Sequence, residues 1–214
     1  MPPVPQHERS KASMGRTLEA ALGLFSSQGF RATSMRQIAD AAGLSVGNVY
    51  HHFPSKDSIF QALLDQYWER VLDPGLRLNQ IFARAAFPDD LEEMAAAIEE
   101  VVETFRPYIL LIYVDVIEFQ GEHIRTFYAG MAGRFEETYA QRFRERRQAG
   151  ELGDADPMVA VMVATRWFFY FFTVEKCFGA PMHFGMSPEA AVAEFIRLLR
   201  HGLLPRPGGP GAAG

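Results

Sequence analysis

QIADAAGLSVGNVYHHFPSKDSIF, residues 37–60, decides how the rest of the chain is read. In and around it, apolar residues recur at intervals of three and four rather than two, which is the spacing of helices. Met35, Ile38, Ala39 and Ala42 make one face of a helix that takes Thr33 or Ser34 as its N-cap and stops at Gly43. Ser45 can cap a second, very short helix that Pro54 closes. Ala39, Gly43 and Val49 then have the three properties a helix-turn-helix requires. A small residue lets the two helices approach, a glycine supplies positive φ in the turn, and an apolar side chain plugs the angle between them.

The second helix of such a pair can lie in a DNA major groove with its first residues against base edges. Its exposed positions read as Val46, Asn48, His51 and His52, and Gly47 leaves room for close approach. Tyr50 offers a hydroxyl to a phosphate, and Lys56, at the start of the next helix, adds a charge-assisted phosphate contact. Neighbouring residues on a helix point about 100° apart, so His51 and His52 cannot grip one metal ion, and no metal site is expected.

Outward from this segment the helical punctuation continues. Leu18, Leu22 and Phe25 form the face of a helix that Gly29 ends, and Ser55 caps a long helix through Ile59, Leu63, Tyr67 and Val71. Asp89 and Glu92 have the spacing of a capping box ahead of a helix over 90–105, which Arg106-Pro107 interrupts. Helices are expected over 108–120 and 123–148. Asp156-Pro157 and Ser187-Pro188 open two more, 157–178 and 188–203. The fold class is all-α, with about nine helices and no internal repeat.

The 214 residues carry a net charge of −5, which by itself argues against a nucleic-acid partner. The average hides an asymmetry: residues 1–60 hold six Lys and Arg against four acids, and the remainder holds 15 bases against 22 acids. A basic front on an acidic rear suggests two jobs in one chain. One cysteine, Cys177, precludes an internal disulfide and fits a reducing, cytoplasmic setting; its thiol is expected to be buried and inert. The apolar run 158–174 is short for a bilayer and has Arg166 in its middle, so no membrane partner is expected.

The longer stretch ALGLFSSQGFRATSMRQIADAAGLSVGNVYHHFPSKDSIFQALL, residues 21–64, resembles the N-terminal DNA-binding domain of the TetR family of bacterial transcriptional regulators. The elements that carry it are F-x-x-x-G-F-x-A-T-S, I-A-x-x-A-G-L-S and G-x-x-Y-x-H-F-x-S-K, within roughly residues 14–64. The resemblance implies DNA contacts from Thr33 or Ser34, Arg36, Ser45, Gly47, Asn48, Tyr50, His51, His52 and Lys56. Val46 departs from the basic residue often found there, and an apolar contact with a thymine methyl is the alternative. The resemblance also implies a ligand-binding and dimerisation domain after the helix-turn-helix. The expected division is a flexible arm over 1–12, the DNA-binding domain over 13–57, the second domain over 58–204 and a disordered tail over 205–214.

Six consecutive aromatics, WFFYFF (167–172), face every direction of a helix and so need cover on all sides. A second copy of the chain is the simplest cover for one side. Phe168 and Phe172, with Val192, Phe195, Ile196 and Leu199 of the last helix, are therefore read as a homodimer seam. Two recognition helices would then meet the half-sites of a palindromic operator in double-stranded DNA. Phe105, Tyr108, Ile112, Val116, Phe127, Met131, Arg166, Trp167, Tyr170 and Phe171 form a second apolar concentration, readable as ordinary core or as the walls of a pocket for an apolar small molecule. An acyl chain or a hydrophobic drug would suit such walls, with Arg166, His123, Arg125 or Glu118 as polar handles. No catalytic residues and no cofactor are expected, because nothing sets a base beside a nucleophile. A helical lipid-binding protein with a merely structural helix-turn-helix is the alternative.

Overall fold

The computed structural model describes residues 5–203, so the tail expected over 205–214 lies outside the described residues. Among the described residues there are ten α-helices and no strand. They are α1 (Gln6–Gln28), α2 (Met35–Ala42), α3 (Val46–His52), α4 (Lys56–Val71), α5 (Arg77–Arg84), α6 (Leu91–Thr104), α7 (Arg106–Glu118), α8 (Glu122–Gln148), α9 (Pro157–Phe172) and α10 (Pro188–Leu203). A five-residue π-helical turn, Thr173–Cys177, continues α9.

Two differences from expectation are local. The N-terminal arm is helical from Gln6, because Pro5 supplies the first carbonyl, to Glu8 and Arg9, and no breaker follows it. The short helix α5 goes unannounced, since it follows the turn Asp73-Pro74-Gly75 and has no side-chain cap.

The chain forms two compact units. The first contains residues 1–71 and 107–126, and the second contains 72–106 and 127–214. The boundary therefore does not fall at 57/58: α4 stays with the DNA-binding helices, and most of α7 joins them.

The first unit is built on a ring cluster. Phe25 of α1, Phe30 and Phe60 of α4 lie with centroids 5.3–5.8 Å apart, and Phe119 closes on Phe30 and Phe60 at 4.7 Å each. Ile38, Ala39, Val49, Ile59 and Leu63 complete that core, all fully buried.

In the second unit, Leu91, Met94 and Ile98 of α6 and Val161, Ala164 and Phe168 of α9 are fully buried. The aromatic run is covered in part by its own chain: Trp167 stacks on Phe171 at 4.8 Å and on Phe195 of α10 at 3.9 Å, while Phe168 meets Phe195 edge-on at 5.4 Å. Phe168, Phe172 and Ile196, expected at a dimer seam, are thus core residues, and Val192, Phe195 and Leu199 are half-buried. The apolar side that α9 exposes carries Val159, Val163 and Tyr170 instead. The helical run Pro157–Cys177 is long and apolar enough to cross a bilayer, but half of it is buried inside the protein. Burial also pushes the Cys177 thiol up, against the pull of Arg106.

The capping box expected at Asp89 does not form. Asp89 pairs with the Arg146 guanidinium at 3.0 Å, Glu92 binds Arg200 through both oxygens at 2.6 and 2.7 Å, and Asp90 takes the N-cap position.

Candidate nucleic-acid interface

The turn between α2 and α3 is made by Gly43 at φ 63°, ψ 41°, a left-handed conformation that glycine adopts without cost. Leu44 N donates to Ala39 O at 2.9 Å and closes the turn. Ser34 begins α2 with a full capping box: Gln37 N donates to Ser34 Oγ at 3.2 Å, and Ser34 N donates to Gln37 Oε1 at 2.8 Å. Ser45 caps α3 by accepting from Asn48 N at 3.2 Å. Ser55 and Ser58 cap α4 reciprocally, each backbone amide donating to the other's hydroxyl at 3.1 and 3.3 Å. Three caps and one glycine therefore set the course of the chain through the motif. Val49, buried in the angle, sets the angle itself.

This anchoring leaves one side of α3 open. Ser45, Gly47, Tyr50 and His51 are exposed, Val46 and His52 are half-buried, and Ser34 and Arg36 are exposed nearby on α2. A Cβ added at Gly47 would meet nothing within 4 Å, so the room that glycine leaves is on the solvent side. The His51 and His52 rings meet edge-on at 5.1 Å.

Three residues expected on this face have other engagements. Thr33 is buried, and its hydroxyl donates to Gly29 O at 2.8 Å. The Lys56 ammonium donates to Phe30 O and, at 2.7 Å, to Thr33 O, and lies 4.1 Å from the Phe30 ring centroid. It holds the α1–α2 turn and keeps one proton for other partners. Asn48 is half-buried, with Oδ1 enclosed and without a hydrogen-bond partner.

Glu118, read from sequence as a pocket handle, turns out to serve the same turn. Its two oxygens accept from Phe30 N at 2.9 Å and Arg31 N at 2.7 Å. Just beyond, fully buried Asp115 accepts from Ile124 N at 3.1 Å and shares a hydrogen bond with His123 Nδ1. His123 in turn meets Phe60 and Phe119 edge-on. The end of α7 thus fastens the turn that precedes α2. No local pattern announces this link, because 88 residues separate Glu118 from Phe30. A cleft of about 370 Å³ opens beside it, lined by Asp57, Ser58, Phe60, Gln61, Phe119, Glu122 and His123. Its carboxylates suit no phosphate.

The residues expected to bind a small molecule divide between the two units. Tyr108, Ile112 and Val116 belong to the first, where Tyr108 donates to Gln66 Oε1 at 2.6 Å and Val116 is exposed. Phe105, Phe127, Met131, Arg166, Trp167, Tyr170 and Phe171 belong to the second. There Phe105 and Phe171 are buried, Tyr170 is exposed, and exposed Arg166 reaches the Met131 sulfur at 3.9 Å. Among the described residues no cluster of three His, Cys, Asp or Glu could hold a metal ion.

Residues 18–63 match the family described as bacterial regulatory proteins, tetR family. The chain is 29% identical over 137 residues to the HTH-type transcriptional regulator UidR of Escherichia coli strain K12, spanning 64% of this chain and 67% of that one. To the HTH-type transcriptional repressor KstR2 of Mycobacterium tuberculosis strain H37Rv it is 35% identical over 111 residues, 50% of each chain. A TetR family transcription regulator from Marinobacter aquaeolei VT8 has the same fold, with a TM-score of 0.63 at 16% identity over 94% of this chain and 100% of that one.

Proposed function

We propose that this chain, as a DNA-binding transcriptional regulator of the tetR family, works as a homodimeric repressor that grips a palindromic operator and is released by a small molecule. The observation that carries the reading is the open side of α3. Four of its residues and cap, Ser45, Gly47, Tyr50 and His51, are held clear of the protein by a cap, a left-handed glycine and a buried valine. A merely structural helix-turn-helix, as in the lipid-binding alternative, has no use for such a face. Ser34, Arg36 and the first turn of α3 supply the phosphate and base contacts, and Lys56 adds its remaining proton.

The partner subunit docks on the apolar stripe of α9. Val159, Val163 and Tyr170 fall on one helical face and are exposed, and Leu198 of α10 is exposed as well. Pairing two copies there sets the distance between two recognition helices. The effector occupies the second unit, and binding it changes that distance. Both half-sites must be engaged at once, so a small change in spacing is a large change in affinity. A hundredfold loss of operator affinity needs about 2.7 kcal/mol of differential effector binding.

The test is selection from a random DNA pool at near-physiological salt by protein that has been unfolded and refolded to remove bound small molecules. Enrichment of a palindrome with half-sites about one helical turn apart is the expected result, together with a dimer in sedimentation equilibrium. No enriched sequence from refolded, dimeric protein would overturn the operator reading.

A further inference from the structure

The cleft beside the α7–α8 corner is bounded by two parts of the first unit. Asp57, Ser58, Phe60 and Gln61 come from the first turns of α4, and Phe119, Glu122 and His123 come from the corner itself. At about 370 Å³ it has the volume of a small-molecule site, commonly about 300–1,000 Å³. One wall is aromatic: Phe60 and Phe119 stack with centroids 4.7 Å apart, and His123 meets them edge-on at 5.7 and 5.4 Å. Phe60 is 1% exposed while Phe119 and His123 are half-buried, so the reachable part of that wall is Phe119 and the imidazole.

The polar rim of the cleft offers acceptors. His123 Nδ1 is bound to fully buried Asp115, whose second oxygen accepts from Ile124 N at 3.1 Å. A neutral imidazole that gives its Nδ1 proton to that carboxylate keeps only the Nε2 lone pair. Gln61 Nε2 donates to Asp65 Oδ1 at 2.7 Å, which leaves the Gln61 side-chain oxygen open. The Ser58 hydroxyl is spent on its own cap, donating to Ser55 O at 2.7 Å and accepting from Ser55 N. Asp57 and Glu122 are exposed, and among the described residues neither side chain has an ion-pair or hydrogen-bond partner. Such a rim repels anions. It does not serve a metal ion either, since among the described residues no three ligating side chains come together. The ligand that satisfies it is rich in donors and positively charged.

The cleft also stands between two holds on the α1–α2 turn. On the α4 side, Lys56 donates to Phe30 O and Thr33 O; on the α7 side, Glu118, next to Phe119, accepts from Phe30 N and Arg31 N. We propose that this cleft binds an organic cation, a primary ammonium on a compact aromatic body, and that its occupancy strengthens operator binding. The ammonium donates to the rim carboxylates and to His123 Nε2, and the ring lies against Phe119. Seated there, the cation braces the start of α4 against the α7–α8 corner in the arrangement in which both holds are made. It also cancels negative charge close to the recognition helix, which Asp57 follows after a short loop. Both effects favour DNA, and the coupling is reciprocal, so the operator tightens the amine by the same factor. The site stands on its own geometry; its effect on DNA rests on the regulator reading above, and it is separate from an effector in the second unit.

The probes are 2-phenylethylamine, 2-phenylethanol, phenylacetate and butylamine, titrated calorimetrically into the full chain and then into the operator complex. Phenylethylamine is expected to bind about tenfold more tightly than the alcohol and several-fold more tightly than butylamine, with phenylacetate weakest. The double variant Asp57→Asn, Glu122→Gln makes isosteric changes at two exposed positions and should melt close to the wild type. It should lose the amine's advantage and keep the alcohol within about twofold. In mobility shifts, saturating phenylethylamine should raise the wild type's operator affinity about fivefold or more and leave that of the double variant unchanged. Equal binding of the amine and phenylacetate, or an advantage that survives in the double variant, would overturn the site. Butylamine binding as tightly as phenylethylamine would overturn the aromatic body. Wild-type operator affinity unchanged or lowered by the amine would overturn the coupling and leave the regulator reading standing. If no operator is selected, the regulator reading itself fails, and the calorimetry still decides the cleft.

Discussion

Replacing Glu118 with alanine removes the fastening between α7 and the turn that leads into α2. Two hydrogen bonds disappear, those from Phe30 N at 2.9 Å and Arg31 N at 2.7 Å. Hydrogen bonds to a charged acceptor contribute about 1.5–3 kcal/mol each, and the two are not equally sheltered. Phe30 is 8% exposed and has Phe119 packed on its ring, so its amide loses its partner where water cannot replace it. The amide of Arg31 is open to water and recovers most of what it loses. The Arg31 guanidinium stands 3.8 Å from the carboxylate with its side chain 80% exposed, so that ion pair contributes little. The expected loss is therefore about 2–3 kcal/mol. Glu118→Gln keeps one acceptor but presents its NH2 to the other amide, so it should fall between alanine and the wild type. Urea unfolding followed by circular dichroism gives the free energies, and amide hydrogen exchange locates them at residues 30 and 31. A change below about 0.5 kcal/mol, or protection of both amides unchanged in Glu118→Ala, would refute the fastening.

Gly47→Ala should leave the unfolding free energy unchanged or raise it by up to about 1 kcal/mol, since helix propensity improves and the added Cβ meets nothing within 4 Å. Electrophoretic mobility shifts should nevertheless show operator affinity falling about tenfold or more, because the lost space is on the DNA side; unchanged affinity would mean that α3 does not approach DNA closely at this point. Asn48→Ala removes an enclosed oxygen that has no partner, so stability should hold or rise while preference at one base position relaxes by about 1–3 kcal/mol. Equal weakening on all sequences in a competition assay would rule out base reading by Asn48. Arg146→Ala should cost about 2–3 kcal/mol in thermal unfolding, chiefly by stranding the carbonyls of Ala86 and Phe87, since Asp89 and Glu151 can rehydrate. Arg146→Lys should recover only part of that, because one ammonium cannot span four partners.

What the sequence discloses and what it withholds divide by distance along the chain. Helix periodicity, the caps at Ser45, Ser55, Asp156 and Ser187, and the glycine turn at 43 all depend on neighbours within a few residues. They can be read directly. Lys56 has the charge of a phosphate ligand, yet it lies 26 residues from a carbonyl that takes one of its protons. Thr33 looks like a surface cap and is buried beneath its own turn. The aromatic run at 167–172 is read as needing cover on all sides, and α10, 23 to 28 residues downstream, provides part of that cover through Phe195, while Tyr170 stays exposed. Asp90 rather than Asp89 takes the N-cap position of α6, and Arg146, far along the chain, pairs with Asp89. The open side of α3 was legible because a local motif builds it. The Glu118 fastening was not, since it is a meeting of residues that only folding brings together.

The fastening of Glu118 to the α1–α2 turn has a bearing on domain grafting. Chimeric regulators are commonly imagined as a cut after the helix-turn-helix and a splice onto another sensor. In this protein such a cut at 57 or 71 would leave Glu118, Phe119 and His123 on the wrong side of the junction, and with them the closure of the Phe30–Phe60 ring cluster. Gly29, where an added Cβ would stand 2.7 Å from Glu118 Oε1, is fitted to that same partner. The transplantable cassette is discontinuous in sequence: a leading segment through Val71 and an internal splint over 107–126, which would have to be moved together.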